Sequence, residues 1–311
     1  MRFLLQSDVI KKSAANVKPC RDGLKKTADA LETVMRTLFT VCGLVAVAFV
    51  VIITVFLLIS GIPAIREIGF ADFMFGTKWA STAAEPSFGI LPFILTSVYG
   101  TFGAILIGVP IGILCAVFMT KYAGGKAMAL TSELVGLMSG IPSVVYGLIG
   151  MIIIVPAVRE LFELPDGANL FSAIIVLSVM ILPSVISVSE TALRAVPKEY
   201  EEASLALGAT KTETVFKVSL PAAKSGILAA VVLGIGRAVG EAMAVMMVAG
   251  NVPNMPGLFQ SVRFLTTAVV SEMSYSSGLQ RQALFSIALV LFAFIMLINI
   301  TLNFIVKRRK K

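Results

Sequence analysis

The chain has 311 residues, 57% of them hydrophobic and 14% charged, with a formal net charge of +8 and a mean hydropathy of +0.93. A soluble domain carries about a quarter charged residues, so this composition marks an integral membrane protein whose fold is set by its number of spans. There is no histidine, and the three cysteines (Cys20, Cys42 and Cys115) show neither a CxxC pair nor metal-ligand spacing, which disfavours zinc chemistry, histidine proton relays and Ser-His hydrolysis.

Residues 1–34 are polar and basic, and too long for the leading region of a cleaved signal peptide. Within them and just beyond, residues 7–36 read as a candidate amphipathic helix at the membrane surface, interrupted near Pro19 and Gly23. The intervals 37–65, 86–120, 134–158, 167–189 and 282–306 contain no Asp, Glu, Lys or Arg, and each is long enough to cross about 30 Å of hydrocarbon. A further interval, 225–250, is apolar except for Arg237 and Glu241. The expected fold is all-α and polytopic, with six transmembrane helices near 35–60, 89–119, 132–158, 169–191, 224–250 and 283–306. That makes residues 35–306 one transmembrane domain, preceded by the N-terminal segment and followed by a short basic tail, 307–311. The connecting loops 61–88 and 251–282 exceed minimal turns and are expected to hold short interfacial helices, a docking surface or plain connectors.

Basic residues set the orientation. With the N-terminus in the cytoplasm, the inside segments hold 20 of the 26 Lys and Arg, so both termini are expected there. Pro92, Pro110, Pro142 and Pro156 interrupt the second and third spans, which is tolerated where neighbours or a cavity satisfy the freed backbone groups. The pairs Gly108/Gly112, Gly136/Gly140 and Gly236/Gly240 have small-xxx-small spacing and suit close helix contact.

Burying Arg237 and Glu241 in a span is costly, about 2.5–3.5 kcal/mol each on insertion scales. Four residues apart, they are expected to share a helical face near the middle of the fifth span, turned to a cavity or a neighbouring helix. Two explanations stay open: a salt bridge that fixes packing, or a station on the path of an anion. A guanidinium presents a planar fork of donors that suits phosphate oxygens, and a nearby carboxylate would keep binding weak enough for release. The hydroxyls of Ser139, Ser143 and Tyr146, around Gly140–Pro142, are candidates to line the same pathway.

Between the fourth and fifth spans lies VPKEYEEASLALGATKTETVFKVSLPAAKSGI, residues 196–227. Pro197 suits a first helical turn, the acidic residues Glu199, Glu201 and Glu202 suit a helix N-terminus, and Gly208 ends that helix. A second helix is expected from about Thr210 to Val218, with Leu220–Pro221 bending the chain back to the membrane. The product is a knob with a small-residue face, Ala203, Ser204 and Ala206, that fits a socket on a partner.

The loop resembles the EAA motif of ABC-importer permeases, carried here by Glu202, Ala203, Ser204, Gly208, Val218, Leu220 and Pro221, with Ser for the second Ala and Val for Ile. SGIPSVVYGLIG (139–150) looks like the broken third helix of phosphate permeases, and GRAVGEAMAVMMVAGN (236–251) like the fifth helix of PstC-type permease subunits. The resemblance covers the chain from about residue 35 onward. It implies a type I importer permease with a coupling helix docked in an ATPase groove, and it implies that Arg237 and Glu241 serve phosphate passage. The partners it implies are a PstA-like sister permease in a heterodimer, a PstB-like ATPase dimer that binds the ATP, a PstS-like phosphate-binding protein and membrane lipid. No cofactor or nucleic acid is expected. The chain has no GxxxxGK[ST] P-loop, since Gly125–Lys126 lacks the spacing. Alternatives left open are a permease for another oxyanion and an ATP-independent anion transporter. An intramembrane hydrolase is disfavoured by the missing histidine.

Overall fold

The computed structural model describes the backbone of residues 2–308 and the side chains of residues 31–301 and 304. The side chains of most of the N-terminal segment and of the basic tail therefore lie outside the described residues. The chain divides into two units, residues 1–58 and 59–311. The first unit is helical, belongs to α1 (Arg2–Ile68), and exposes nearly all its described side chains. The helix runs through Pro19 and Gly23, where an interruption was expected.

The second unit begins with the end of α1. There Ser286 donates to the Gly61 carbonyl at 2.6 Å, joining that end to the last helix. Then come the short α2 (Phe70–Phe75) and a small antiparallel hairpin of β1 (Trp79–Ala80) and β2 (Ser87–Phe88). Helix α3 (Leu91–Val117) follows, with Pro92 in its first turn, where a missing N–H costs nothing. It closes with a π-helical turn, Phe118–Tyr122. Helix α4 (Gly125–Gly140) stops because Pro142 drives Ile141 out of the helical region, to ψ 124°. The chain resumes as α5 (Ser143–Ile149), a π turn (Gly150–Ile154) and α6 (Val155–Leu161). The third span is thus Ser143–Leu161 rather than 132–158, because Pro142 cuts that expected helix in two.

Helix α7 (Leu170–Arg194) is capped by Asn169, whose side chain accepts from the Ser172 N–H at 3.0 Å. The 196–227 loop then holds α8 (Lys198–Ala206), α9 (Lys211–Thr214), a π turn (Val215–Ser219) and α10 (Leu220–Ala222). The chain bends by 72° into α11 (Lys224–Gly240); among the described residues five helices are long and apolar enough to cross a membrane, and the count reaches six only when α11 is taken together with the segment bent against it. Helix α11 ends at Gly240 and the chain continues as α12 (Met243–Val248), so the continuous fifth helix expected over 224–250 is not formed. Last come α13 (Leu265–Glu272) and α14 (Gly278–Arg308). The expected all-α polytopic fold is present; the loops 61–88 and 251–282 contribute α2, α13 and the hairpin.

The core of this unit is a seam of α3, α7 and α11. A Cβ built on Gly103, Gly108 or Gly112 would lie 2.7–2.8 Å from Ile174, Ile181 or Val185 of α7, closer than real side chains approach. At Gly108 the Ser178 backbone oxygen also lies 2.9 Å from that position, whereas at Gly103 and Gly112 the α7 side chains themselves fill the space that a Cβ would need. On the other side, Gly234 of α11 abuts the same Val185 at 3.1 Å. By contrast Gly136, Gly140, Gly236 and Gly240 have nothing within 4 Å of the Cβ position among the described residues, so of the three glycine pairs Gly108/Gly112 is the one seen packed there. At the far end from the 196–227 loop, Glu272 gathers the elements: it pairs with Arg263 and accepts from Trp79 at 3.1 Å, Ser81 at 3.2 Å and Gln280 at 3.1 Å.

Candidate functional site

Two helix breaks meet in the body of the second unit. The first lies between α4 and α5 at Ile141–Pro142, the second between α11 and α12 at Glu241–Ala242. The helices that follow them, α5 and α12, are in direct contact, since a Cβ on Gly147 would fall 2.7 Å from the Ala244 Cα. Each break releases backbone groups that the chain's own side chains satisfy. Tyr146, buried at 8% exposure, donates its hydroxyl to the Met138 carbonyl near the end of α4 at 2.7 Å. Glu241 accepts from the Ala244 N–H at 2.9 Å, holding the first turn of α12. The Glu241 carbonyl, no longer in a helix, accepts from the Thr266 hydroxyl at 2.7 Å.

Arg237 stands in the last turn of α11, half-buried, rather than at mid-helix. Its Nη1 donates to Ser184 of α7 at 2.9 Å. Among the described residues no ion pair joins Arg237 to Glu241, although they are one turn apart. The break explains why. A cation in the last turn of a helix is stabilised by unpaired carbonyls and the macrodipole. The carboxylate is taken up by the next segment. Each charge is settled by backbone rather than by the other, which leaves the guanidinium with one neutral side-chain partner.

The other expected pathway residues are placed less centrally. Ser139 is exposed and bonds back to the Val135 carbonyl of its own helix at 3.0 Å, the usual habit of serine in a span. Ser143 opens α5, half-buried, and makes no hydrogen bond to Arg237. Ser184 was not singled out from the sequence. One more serine in an apolar run carries no signal, and only its position beside Pro183, facing α11, gives it a role.

The 196–227 loop is the second candidate site. Helix α8 buries none of its residues; Glu202 and Ala203 are exposed and Leu207 is 90% exposed. Ser204 bonds Thr214 at 2.9 Å and so ties α8 to α9. Gly208 has φ +87°, the left-handed conformation that ends α8 and that only glycine adopts freely. Pro197 is the residue before α8, and the sharp bend comes after α10 rather than at Leu220–Pro221, since Pro221 sits in the first turn of α10, where its ring is tolerated.

Helix α9 carries a reciprocal cap. Thr210 accepts from the Glu213 N–H at 3.2 Å, and Glu213 accepts from the Thr210 N–H at 3.1 Å. These bonds from Thr210, and Lys217 beyond them, hold the Glu213 carboxyl below its ordinary value of 4.5. A depressed carboxylate stabilises above its unfolded value and loses that contribution as pH falls through its folded one. Hydrogen-exchange protection at Glu213 and Thr214, corrected for intrinsic rates, is therefore expected to stay level from about pH 5 to 8 and to fall on acidification below 4.5. In Glu213→Gln that acid step should disappear; its persistence would assign it elsewhere.

A bundle of broken helices with a protruding helical knob is the type I ABC importer permease fold, and comparison with solved structures agrees. The chain is similar to the MetNI methionine ABC transporter in inward-facing form, with TM-score 0.53 and 24% identity over 71% of this chain and 94% of that one, a likeness in fold. It matches the family model of the binding-protein-dependent transport system inner membrane component over residues 108–311, and it belongs to that family. Its relatives include the probable ABC transporter permease protein YqgH of Bacillus subtilis (strain 168), 38% identical over 88% of this chain and 91% of that one. The phosphate transport system permease protein PstC 2 of Mycobacterium bovis is 30% identical over 92% of both. The protein is accordingly a PstC-type ABC permease. It is a multi-pass transport subunit of a prokaryotic inner membrane that works with a separate ATPase and a substrate-binding protein.

Proposed function

We propose that this chain is a permease subunit of an ATP-driven importer of inorganic phosphate, moving the anion by alternating access past Arg237. One observation carries the reading: a guanidinium held at the junction of two broken helices, bonded to a neutral serine and, among the described residues, to no carboxylate. A fixed cation of this kind attracts a multiply charged oxyanion, offers it a planar fork of donors and stays charged at every relevant pH. Release needs an alternative partner for the arginine, and Ser184 with the α11 terminus supplies one. Glu241 acts at one remove, shaping the junction and tempering its field. On this reading Tyr146 braces the junction through its bond to the Met138 carbonyl, and Ser139 and Ser143 line the approach. The relatives named for phosphate transport support the choice of anion.

On this reading both chain termini and the 196–227 loop lie in the cytoplasm. Glu202, Ala203, Ser204, Gly208, Leu220 and Pro221 form the coupling element docked in a PstB-like ATPase. ATP is bound there, and the permease needs no cofactor of its own. A PstA-like sister permease packs against the open glycine ridges Gly136/Gly140 and Gly236/Gly240, which have no partner among the described residues. A PstS-like phosphate-binding protein docks at the opposite end, on the side of α2, α13 and the hairpin. The test is uptake of radiolabelled phosphate and of radiolabelled sulfate in a strain lacking this subunit, with and without the restored gene. Phosphate uptake that returns with the gene and stops when ATP is depleted is expected. Preference for sulfate would reassign the substrate, and uptake that continues on an ion gradient alone would remove the ATP-driven mechanism.

A further inference from the structure

We propose that the π turn Phe118–Tyr122 is the receiving end of the coupling loop, with Lys121 and Tyr122 transmitting ATPase-driven movement into the helix seam; this rests on the ATP-driven reading above. The Lys121 ammonium pairs with Glu201 of α8, and the two side chains are only 13% and 25% exposed. The same Glu201 oxygen accepts from Ser219 at 3.0 Å, in the π turn that follows α9. One carboxylate therefore fastens the end of α3 to both arms of the loop.

The next residue repeats the connection on the other arm. The Tyr122 hydroxyl lies 3.1 Å from the Thr212 hydroxyl of α9, and the Lys211 ammonium stands 4.9 Å from the centre of the Tyr122 ring. Two consecutive residues at the end of one spanning helix thus hold α8 and α9 separately. π turns are rare and are often found at functional sites, and here two of them face each other across Glu201.

From this attachment the contacts run inward without slack. Helix α3 carries Gly112 onto Val185 of α7, where a Cβ would sit 2.7 Å from the valine Cγ1. The neighbour of Val185 is Ser184, which holds Arg237. Gly234 of α11 touches Val185 from the other side. Here the Val185 side chain is gripped between the Gly112 and Gly234 backbones, and closely packed interiors transmit displacement because they hold few voids to absorb it. The loop, α3, α7 and α11 form one contiguous network from Glu201 to Arg237, and whether it carries energy is a question for a double-mutant cycle.

The experiment uses the complete importer in liposomes, with three readouts for each variant: capture of the ATPase, stimulation of ATP hydrolysis by loaded binding protein, and phosphate taken up per ATP. Lys121→Glu and Glu201→Lys are each expected to retain the ATPase while losing about tenfold in both stimulation and uptake per ATP, the scale of coupling within one network. The exchanged pair, Lys121→Glu with Glu201→Lys, should recover most of both. A merely structural pair would lower the amount of assembled importer and leave uptake per ATP unchanged. Wild-type stimulation and stoichiometry in the single variants, or no recovery in the double, would overturn the proposal. Should either charge reversal fail to accumulate, Lys121→Gln and Tyr122→Phe are scored in the same way, and wild-type values in both would overturn it. A wild-type complex that responds to loaded binding protein but takes up no phosphate contradicts only the substrate assignment, and the proposal is then judged on stimulation. A complex whose hydrolysis never responds contradicts the ATP-driven reading and the proposal with it.

Discussion

Arg237→Gln is expected to lower phosphate uptake by about 100-fold, with the assembled importer present in normal amount. A hydrogen bond to a charged group contributes about 1.5–3 kcal/mol, and 100-fold corresponds to about 2.7 kcal/mol. Loss of one charge-assisted contact with the anion therefore accounts for the effect. Assembly should survive because the glutamine amide still has a donor for Ser184, the one side chain the arginine is bonded to. Arg237→Lys should fall between, since it keeps the charge and loses the planar fork. Glu241→Gln should be milder than Arg237→Gln, because an amide oxygen still accepts the Ala244 N–H. Initial rates over a range of phosphate concentrations are the measurement. Wild-type rates from Arg237→Gln would reduce the arginine to a packing group.

Gly147→Ala is the second large effect. Its new Cβ would stand 2.7 Å from the Ala244 Cα, 2.9 Å from the Met247 sulfur and 3.1 Å from the Ala244 carbonyl oxygen. The methionine can move aside, but the backbone cannot, so α5 and α12 must separate. Overpacking of this kind costs about 1–3 kcal/mol. Because the contact lies where the two helix breaks meet, uptake is expected to drop about tenfold or more, the change in rate that 1.4 kcal/mol produces. Thermal melting in detergent should fall with it. Gly136→Ala is the control: no described residue lies within 4 Å of its Cβ position and alanine suits a helix better than glycine, so the isolated subunit should melt no lower than the wild type. If Gly136→Ala nevertheless impairs uptake, that face contacts the sister permease. A Gly147→Ala protein that melts and transports as the wild type does would mean that the two breaks do not work as one unit.

Part of this was legible in the sequence because it rests on local rules. Spans follow from runs without charge, and the break at Ile141 follows from Pro142, which acts on the residue just before it. Gly208 ends α8 for an equally local reason, its positive φ. The break at Glu241 was not legible. Neither Gly240 nor Glu241 forbids a helix, and while the Glu241 carboxylate takes up the Ala244 N–H locally, the Glu241 carbonyl is settled by a threonine hydroxyl 25 residues further on. The same break decides between the two explanations left open for Arg237 and Glu241: the salt bridge is not formed among the described residues, since a spacing of four puts two residues on one face only while one helix carries both.

By itself the sequence determined that this is a membrane protein with about six spans, a helical knob between the fourth and fifth, and a costly charged pair inside a span. Those properties depend on solvent transfer, backbone propensity and short spacings, which act within a few residues. Only the tertiary structure decided what Arg237 is bonded to, which glycines pack within the chain, and how Lys121 and Tyr122 connect the knob to the seam. These depend on side chains far apart in the chain meeting at van der Waals distance, and that is set by how the helices pack rather than by any one of them.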